Sequence, residues 1–445
     1  MSRLAPWEDS FEQLCSLLLS SLTPNEQLSI DLAGEHSHFM RLNHAKVRQA
    51  GTVTDGEVTL RLIHGQRTAT ASLSFTGNTA IDSAAALDAL RDLRQELPQL
   101  PEDPYLVLPQ NYGSSHEVYP GQLLSPEEAP EAILPLVQGV DFTGIYGSGE
   151  IVRANANSAG QRHWFATETF FLDYSMIAPS EKAVKATIAG QAWDADKFQA
   201  QVEEAKVQLQ SLDRPVKTIA PGRYRTYLAP AAIAEILGMF SWGAISESSL
   251  RQGGSALAKL REGKTLSPKF TLSENFSRGT VPRFNSLGEI APEFIPVIEA
   301  GKLTNTLVNA RTAKEYGVAS NGASSSEGLR APEISPGTLS AAEILAQLDT
   351  GLYLSNLHYL NWSDRVGGRI TGMTRYACFW VEQGKIVAPI QDLRFDDSLY
   401  TFLGQNLEAV TDFRAFIADV DTYGSRSLGG ALVPGMLIRD FTFTL

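Results

Sequence analysis

Apolar and polar residues alternate strictly along EVTLRLI, where Val58, Leu60 and Leu62 are separated by Thr59 and Arg61. After the turn HGQR the alternation resumes at Ala69, Ala71, Leu73 and Phe75. Successive strand side chains point to opposite faces, so this period predicts half-buried antiparallel strands. They belong to a meander that runs through LSIDLAGEHSHFMRLNHAKVRQAGTVTDGEVTLRLIHGQRTATASLSFTG. The pattern is helical elsewhere. Phe11, Leu14, Leu18 and Leu22 fall on one helix face, as do Leu87, Leu90, Leu93 and Leu97 before the Pro-rich stretch PQLPEDPYLVLP. A second β region, FTGIYGSGEIVRANANSAGQRHWFATETFFLDYSMI, precedes the predicted helix DADKFQAQVEEAKVQLQSL.

Near residue 215 the pattern resets, which divides the chain into an N-terminal domain, 1–215, and a C-terminal domain, 216–445. The second domain has one clear helix, PAAIAEILGMFSWG, with Ile233, Ile236, Leu237 and Phe240 at i, i+3, i+4 and i+7 and Pro230 in its first turn. Glu235 is the only ionisable group in its middle. Strands are predicted around GRYRTYLA, KFTLSENF, FIPVIEAGKLTNTLVNA, GLYLSNLHYLNW, ITGMTRYACFWVEQGKIVAPI and GMLIRDFTFTL, and a further helix at SAAEILAQLDTG. VEQGKIVAP reads as strand, turn, strand, with a turn longer than two residues. Strand runs and helices do not alternate as βαβ units. The expected class is α+β: an N-terminal domain of antiparallel strands and helices, then a predominantly antiparallel β domain with a few helices.

Charge narrows the partners. The 445 residues carry 37 Lys and Arg against 50 Asp and Glu, a net charge of −13, with no basic run. Phosphate backbones and anionic lipid need clustered cations, so nucleic acid and membrane are not expected partners. No apolar segment reaches the roughly 20 residues of a membrane span. The two cysteines, Cys15 and Cys378, lie far apart in apolar settings, which suits buried thiols in a reducing cytoplasm.

Candidate chemistry is sparse. His36 and His38 are two apart and would share a strand face, but no third metal ligand lies nearby. His64 sits at a hairpin turn, His116 in a polar loop, and His163 and His358 in strands. There is no HExxH and no GxSxG, and GASSSEGLR lacks the GK[ST] ending of a phosphate-binding loop. Thr374 and Arg375 precede a strongly apolar strand. An Arg there either forks onto a carboxylate or peptide carbonyl or pairs with a local acid such as Glu382 or Asp364.

Three blocks in order resemble the TldD/PmbA (TldE) family, and the likeness runs from about residue 25 to the end. They are MRLNHAKVRQAGTVTDGEVTLRLIHGQRTATAS, ANANSAGQRHWFATETFF and ITGMTRYACFWVEQGKIVAPIQDLRF, the last similar to a family block of the type TGMTRxGxFxIENGEI. The family's catalytic member is a zinc metallopeptidase with an HExxxH motif on the helix that starts its C-terminal domain and a Cys ligand near its C-terminus. Aligned on that motif, Gly238 takes the place of the first His, Met239 of the Glu and Gly243 of the second His. Where the Cys belongs, the chain reads TYGSRSLGGALVPG. The resemblance therefore implies a non-catalytic TldE-type subunit with no catalytic residue or metal ligand of its own. Zinc is expected in a TldD-type partner, and the two would process peptides or unfolded polypeptides in a chamber. Thr374, Arg375 and Trp242 are the candidate substrate or partner contacts. Two other readings stay open. One is an autonomous metallopeptidase or hydrolase with atypical ligands such as His36 and His38. The other is a homodimeric peptide-binding regulator, in keeping with the family's older label as a gyrase modulator.

Overall fold

The computed structural model describes residues 4–445, and α-helices and mostly antiparallel strands make it an α+β protein of two domains. Seven strands form one sheet in the N-terminal part. They are β1 (Glu26–Asn43), β2 (Lys46–His64), β3 (Arg67–Ser74), β4 (Ser115–Tyr119), β5 (Asp141–Asn157), β6 (Arg162–Ile177) and β7 (Ala183–Gly190). Their order is β3-β2-β1-β5-β6-β4, with β7 also on β6. The predicted alternation sets the register: Leu28 lies opposite Leu62, Ile30 opposite Leu60 and Leu32 opposite Val58, all six buried. Helices α1 (Ala5–Ser20) and α2 (Thr79–Glu96) cover that face with Phe11, Leu14, Leu18, Leu90 and Leu93. Asn78 caps α2 by accepting the Ala80 and Ile81 N–H groups. The Trp7 ring lies so close to Gly34, Gly56 and Gly77 that a Cβ on any of them would stand within 2.6 Å of it. His116 lies in β4, paired parallel with β6, rather than in a loop, because the backbone from Ser115 to Tyr119 fills the edge of β6.

Short helix α3 (Glu128–Ile133) lies between β4 and β5 and long helix α4 (Ala195–Leu212) follows β7, and both pack on the same sheet. The C-terminal part opens with β8 (Gly222–Leu228) and α5 (Pro230–Ser241). Its remaining strands are β9 (Leu272–Asn275), β10 (Phe294–Glu299), β11 (Lys302–Leu303), β12 (Pro332–Ile334), β13 (Gly351–Asp364), β14 (Arg369–Glu382), β15 (Lys385–Pro389), β16 (Arg394–Ser398), β17 (Leu407–Val410), β18 (Ala415–Ala418), β19 (Gly430–Val433) and β20 (Met436–Phe443). One sheet runs β11-β10-β9-β12-β19-β18. The other runs β13-β8-β20-β16-β14-β15, and because β13 also pairs with β14 its first five strands close into a ring. Ile233, Ile236, Leu237 and Phe240 of α5 are each at most 2% exposed and pack into the core with Leu352 and Leu354 of β13. Each such side chain contributes about 1.5–3 kcal/mol relative to exposure.

The VEQGKIVAP turn is shorter than the sequence suggested. Glu382 pairs with Lys385, leaving only Gln383 and Gly384 in the turn, at φ +49° and +72°. Two positive-φ residues make the mirror-image turn whose twist matches that of the flanking strands.

The two parts are bolted together by side chains reaching across. Lys182 donates to the Ile390 carbonyl at 2.9 Å, Lys314 to that of Leu106 at 2.7 Å, and His163 Nε2 lies 3.0 Å from the Gly288 carbonyl. Ala377 and Phe379 of β14 share a core with Phe142 and Tyr174 of the N-terminal sheet.

Candidate functional site

The outward side of α5 is unusual in its smallness. Ala231, Ala234, Gly238 and Ser241, spaced i, i+3, i+7 and i+10, present almost no side-chain bulk, and a Cβ added at Gly238 would meet nothing within 4 Å. They form one wall of a cavity of about 700 Å³. Opposite stand Asp173 of β6, Lys185 and Thr187 of β7, and Ile417 and Ala418 of β18. β7 and β18 are both edge strands of their sheets, and they lie side by side without pairing. Two unpaired sheet edges and a flat helix face thus enclose one space between the domains.

Its charges are few and fixed. Asp173 is ion-paired with Lys185 and accepts the Thr187 hydroxyl at 2.7 Å. Arg330 is partly buried, and its guanidinium donates to the carbonyls of Pro282, Arg283, Phe284 and Gly322. Desolvation lowers its pKa, and the nearby Glu274 carboxylate acts in the opposite direction. Glu235 opens onto the cavity, and the surrounding protein desolvates its carboxyl and raises its pKa. Asn356 also borders the space, and its Oδ1 is buried without a hydrogen-bond partner. An unmet acceptor costs about 1–3 kcal/mol and marks a place where a donor is useful. It sits at a bulge where β13 slips against β14, beside Tyr376 at φ +66°.

The loop that follows β18 closes the cavity and is held by one residue. Arg426, 5% exposed, donates to the Gly149 carbonyl at 2.7 Å, to Thr169 Oγ1 at 2.7 Å and to Ser37 Oγ at 3.1 Å. Its backbone N–H reaches the Glu35 carboxylate at 3.2 Å. Burial pushes the guanidinium down to about 10, which leaves it charged at neutral pH. Arg426 lies within TYGSRSLGG, a stretch whose Gly and Ser residues signal only a loop; the lone Arg among them was the available clue.

Of the positions singled out in the sequence, Glu235 and Gly238 line this cavity. Met239 turns into the core at 5% exposed. Gly243 lies beyond the end of α5 at φ +81°, with the Arg365 guanidinium 3.2 Å from where its Cβ would stand. Trp242 caps the helix, half exposed, and its carbonyl accepts the Trp362 indole N–H at 2.9 Å. Thr374 is 1% exposed, and its hydroxyl accepts the Leu393 N–H at 2.9 Å, so it serves sheet packing and presents no open surface. Arg375 is exposed, forms no ion pair with Glu382 or Asp364, and stands over the Tyr376 ring at 5.4 Å; Glu382 pairs with Lys217 instead. His36 and His38 are neighbours in β1, and their Nδ1 atoms lie 2.7 and 2.8 Å from Thr54 and Thr52 hydroxyls. Among the described residues, no group of three or more His, Cys, Asp or Glu is arranged to hold a metal ion. Gly, Met and Gly offer zinc neither nitrogen nor thiolate, so the residues at the motif positions do not fit the ion. Cys378 donates to the Arg375 carbonyl at 3.2 Å, and burial raises its thiol to about 11.

Comparison with known proteins gives a consistent result. The family model described as PmbA/TldA metallopeptidase C-terminal domain matches residues 221–445. No curated protein matches. Among solved structures, a candidate modulator of a DNA gyrase from Thermotoga maritima is 17% identical, with a TM-score of 0.77 over 98% of this chain and 100% of that one. TldE from Thermococcus kodakarensis is also 17% identical, with a TM-score of 0.75 over 98% of this chain and 100% of that one. A candidate modulator of DNA gyrase from Bacteroides thetaiotaomicron is 15% identical, with a TM-score of 0.74 over 98% of each chain. These likenesses show a shared fold, and the family model spans the whole domain that contains α5: the chain belongs to the PmbA/TldD family of metallopeptidase-related proteins.

Proposed function

We propose that this chain is the non-catalytic, TldE-type subunit of a cytoplasmic zinc metallopeptidase complex, holding substrate for a TldD-type partner that supplies the zinc. The observation that carries the reading is the 700 Å³ cavity at the vacated motif helix, walled by small residues and two sheet edges. An extended peptide laid along β18 would gain main-chain hydrogen bonds, while Ala231, Ala234 and Gly238 let its backbone approach the helix closely. Few charges in the wall favour unfolded segments of varied sequence over one specific motif. Arg375 and Trp242, exposed on the same domain, are the contacts offered to the partner.

The test is to express the chain alone and together with a TldD-type partner, and to measure zinc and peptidase activity on the same preparations. Zinc and cleavage appearing only in the stable complex are expected. Gly238→Trp, which fills the cavity from a position with free space, should preserve assembly and lower cleavage by raising KM. Full activity of the isolated partner overturns the proposal. So does one tightly held zinc in the isolated chain with chelator-sensitive cleavage, or a stable self-dimer that excludes the partner.

A further inference from the structure

A second concavity, of about 680 Å³, lies elsewhere in the C-terminal domain and shares no residue with the first. Its walls come from β8, β17 and β20, the loop 264–269 and the single π-helical turn Thr401–Gln405. Four cations line it, Arg225, Lys264, Lys269 and Arg439, against one carboxylate, Glu408. The lining thus carries a formal charge of +3 in a chain whose total is −13.

Glu408 does not neutralise this group; it organises it. Arg225 donates its Nε to Glu408 Oε2 at 2.8 Å and Arg439 its Nε to Oε1 at 3.1 Å, so one carboxylate holds two guanidiniums side by side. Each keeps further N–H groups for a ligand. Lys269 donates one proton to the Glu408 carbonyl at 2.6 Å. The Lys264 ammonium stands 4.6 Å from the centre of the Tyr400 ring and donates to no protein acceptor, and the side-chain amides of Gln347 and Gln405 are likewise unengaged. The turn at Gly404, with φ −93° and ψ −116° and open space where a Cβ would be, leaves the floor of the concavity clear. A pre-set row of cations with neutral donors between them suits an anion bearing several charges, and a monovalent one would leave most of it uncompensated.

We propose that this concavity binds a di- or triphosphate group, free or carried by a nucleotide, through Arg225, Lys264, Lys269 and Arg439. Calorimetric titration of the full chain in metal-free, low-salt buffer, with tripolyphosphate, ATP and AMP in turn, tests it. Tripolyphosphate and ATP should bind one per chain, AMP about tenfold more weakly or worse, and rising salt should weaken all three. Equal affinities for tripolyphosphate and ATP assign the site to the phosphates alone; tighter ATP assigns a share to the nucleoside. The double variant Lys264→Gln, Lys269→Gln, at exposed positions where folding is not at stake, should lose about tenfold in affinity. A control double variant at Lys46 and Lys197, both in the N-terminal domain, should lose nothing. No binding of either polyphosphate overturns the proposal, as does AMP binding as tightly as ATP, or affinity that the Lys264 and Lys269 changes leave intact.

Discussion

Gly238 pays the conformational cost of glycine inside a helix without a steric reason, since a methyl group there would touch nothing. Gly238→Ala should therefore stabilise the chain by about 0.5–1 kcal/mol. Gly243→Ala should do the reverse by about 1 kcal/mol or more, because φ +81° strains any side chain and Arg365 stands 3.2 Å away. Thermal unfolding of the two variants checks both signs. Asp31, beside Asn155 in the N-terminal sheet, carries a different load. Burial lifts its carboxyl from 3.8 to about 7, so between those values the folded chain holds a proton that the unfolded chain has lost. Stability must then fall as pH rises through that window, and the effect vanishes below it. Asp31→Asn keeps an acceptor for Asn155 and removes the titration. Its advantage over the parent in urea unfolding should be small below about pH 4 and grow by about 1 kcal/mol per pH unit from there to about pH 7.

The elements that could be read from the sequence are those whose packing is local or periodic. The β1–β2–β3 meander and the apolar face of α5 follow from periods of 2 and 3.6 that their own residues carry. The cavity was not legible, because its walls come from strands of three to eight residues far apart in sequence, β7, β12, β18 and β19, too short to show a period. Nor was Arg426, whose four partner residues lie more than 250 positions away and whose neighbours are all loop formers. Thr374 stood out for a motif and turned out to secure Leu393. The Arg426 loop supports a sharp prediction. Arg426→Ala keeps the backbone N–H on Glu35 but leaves the partly buried Gly149 carbonyl and the Thr169 and Ser37 acceptors without the guanidinium, and should cost about 1–3 kcal/mol. Amide hydrogen exchange over residues 419–430 should rise by far more than in the strands of the N-terminal sheet.

Taken as a whole molecule, the chain behaves as two cores with a shared third one, in which Ala377 and Phe379 join Phe142, Tyr174 and Phe198. Such coupling predicts a single calorimetric transition. Both thiols are buried, Cys15 and Cys378 alike, and their pKa values are pushed up. An exposed-thiol reagent should label neither in the native state and both across that transition, so reaction at Cys378 without Cys15 would reveal that the domains unfold separately. The closed ring of β8, β20, β16, β14 and β13 has one further consequence, for biosynthesis. Its first strand begins at Gly222 and β20, seated between β8 and β16, ends at Phe443. At roughly 5–20 residues per second, a ribosome needs about 10–40 s to supply the missing stave. Until then α5 has its apolar side made and nothing complete to lay it on, so the nascent C-terminal half is a natural client for a chaperone.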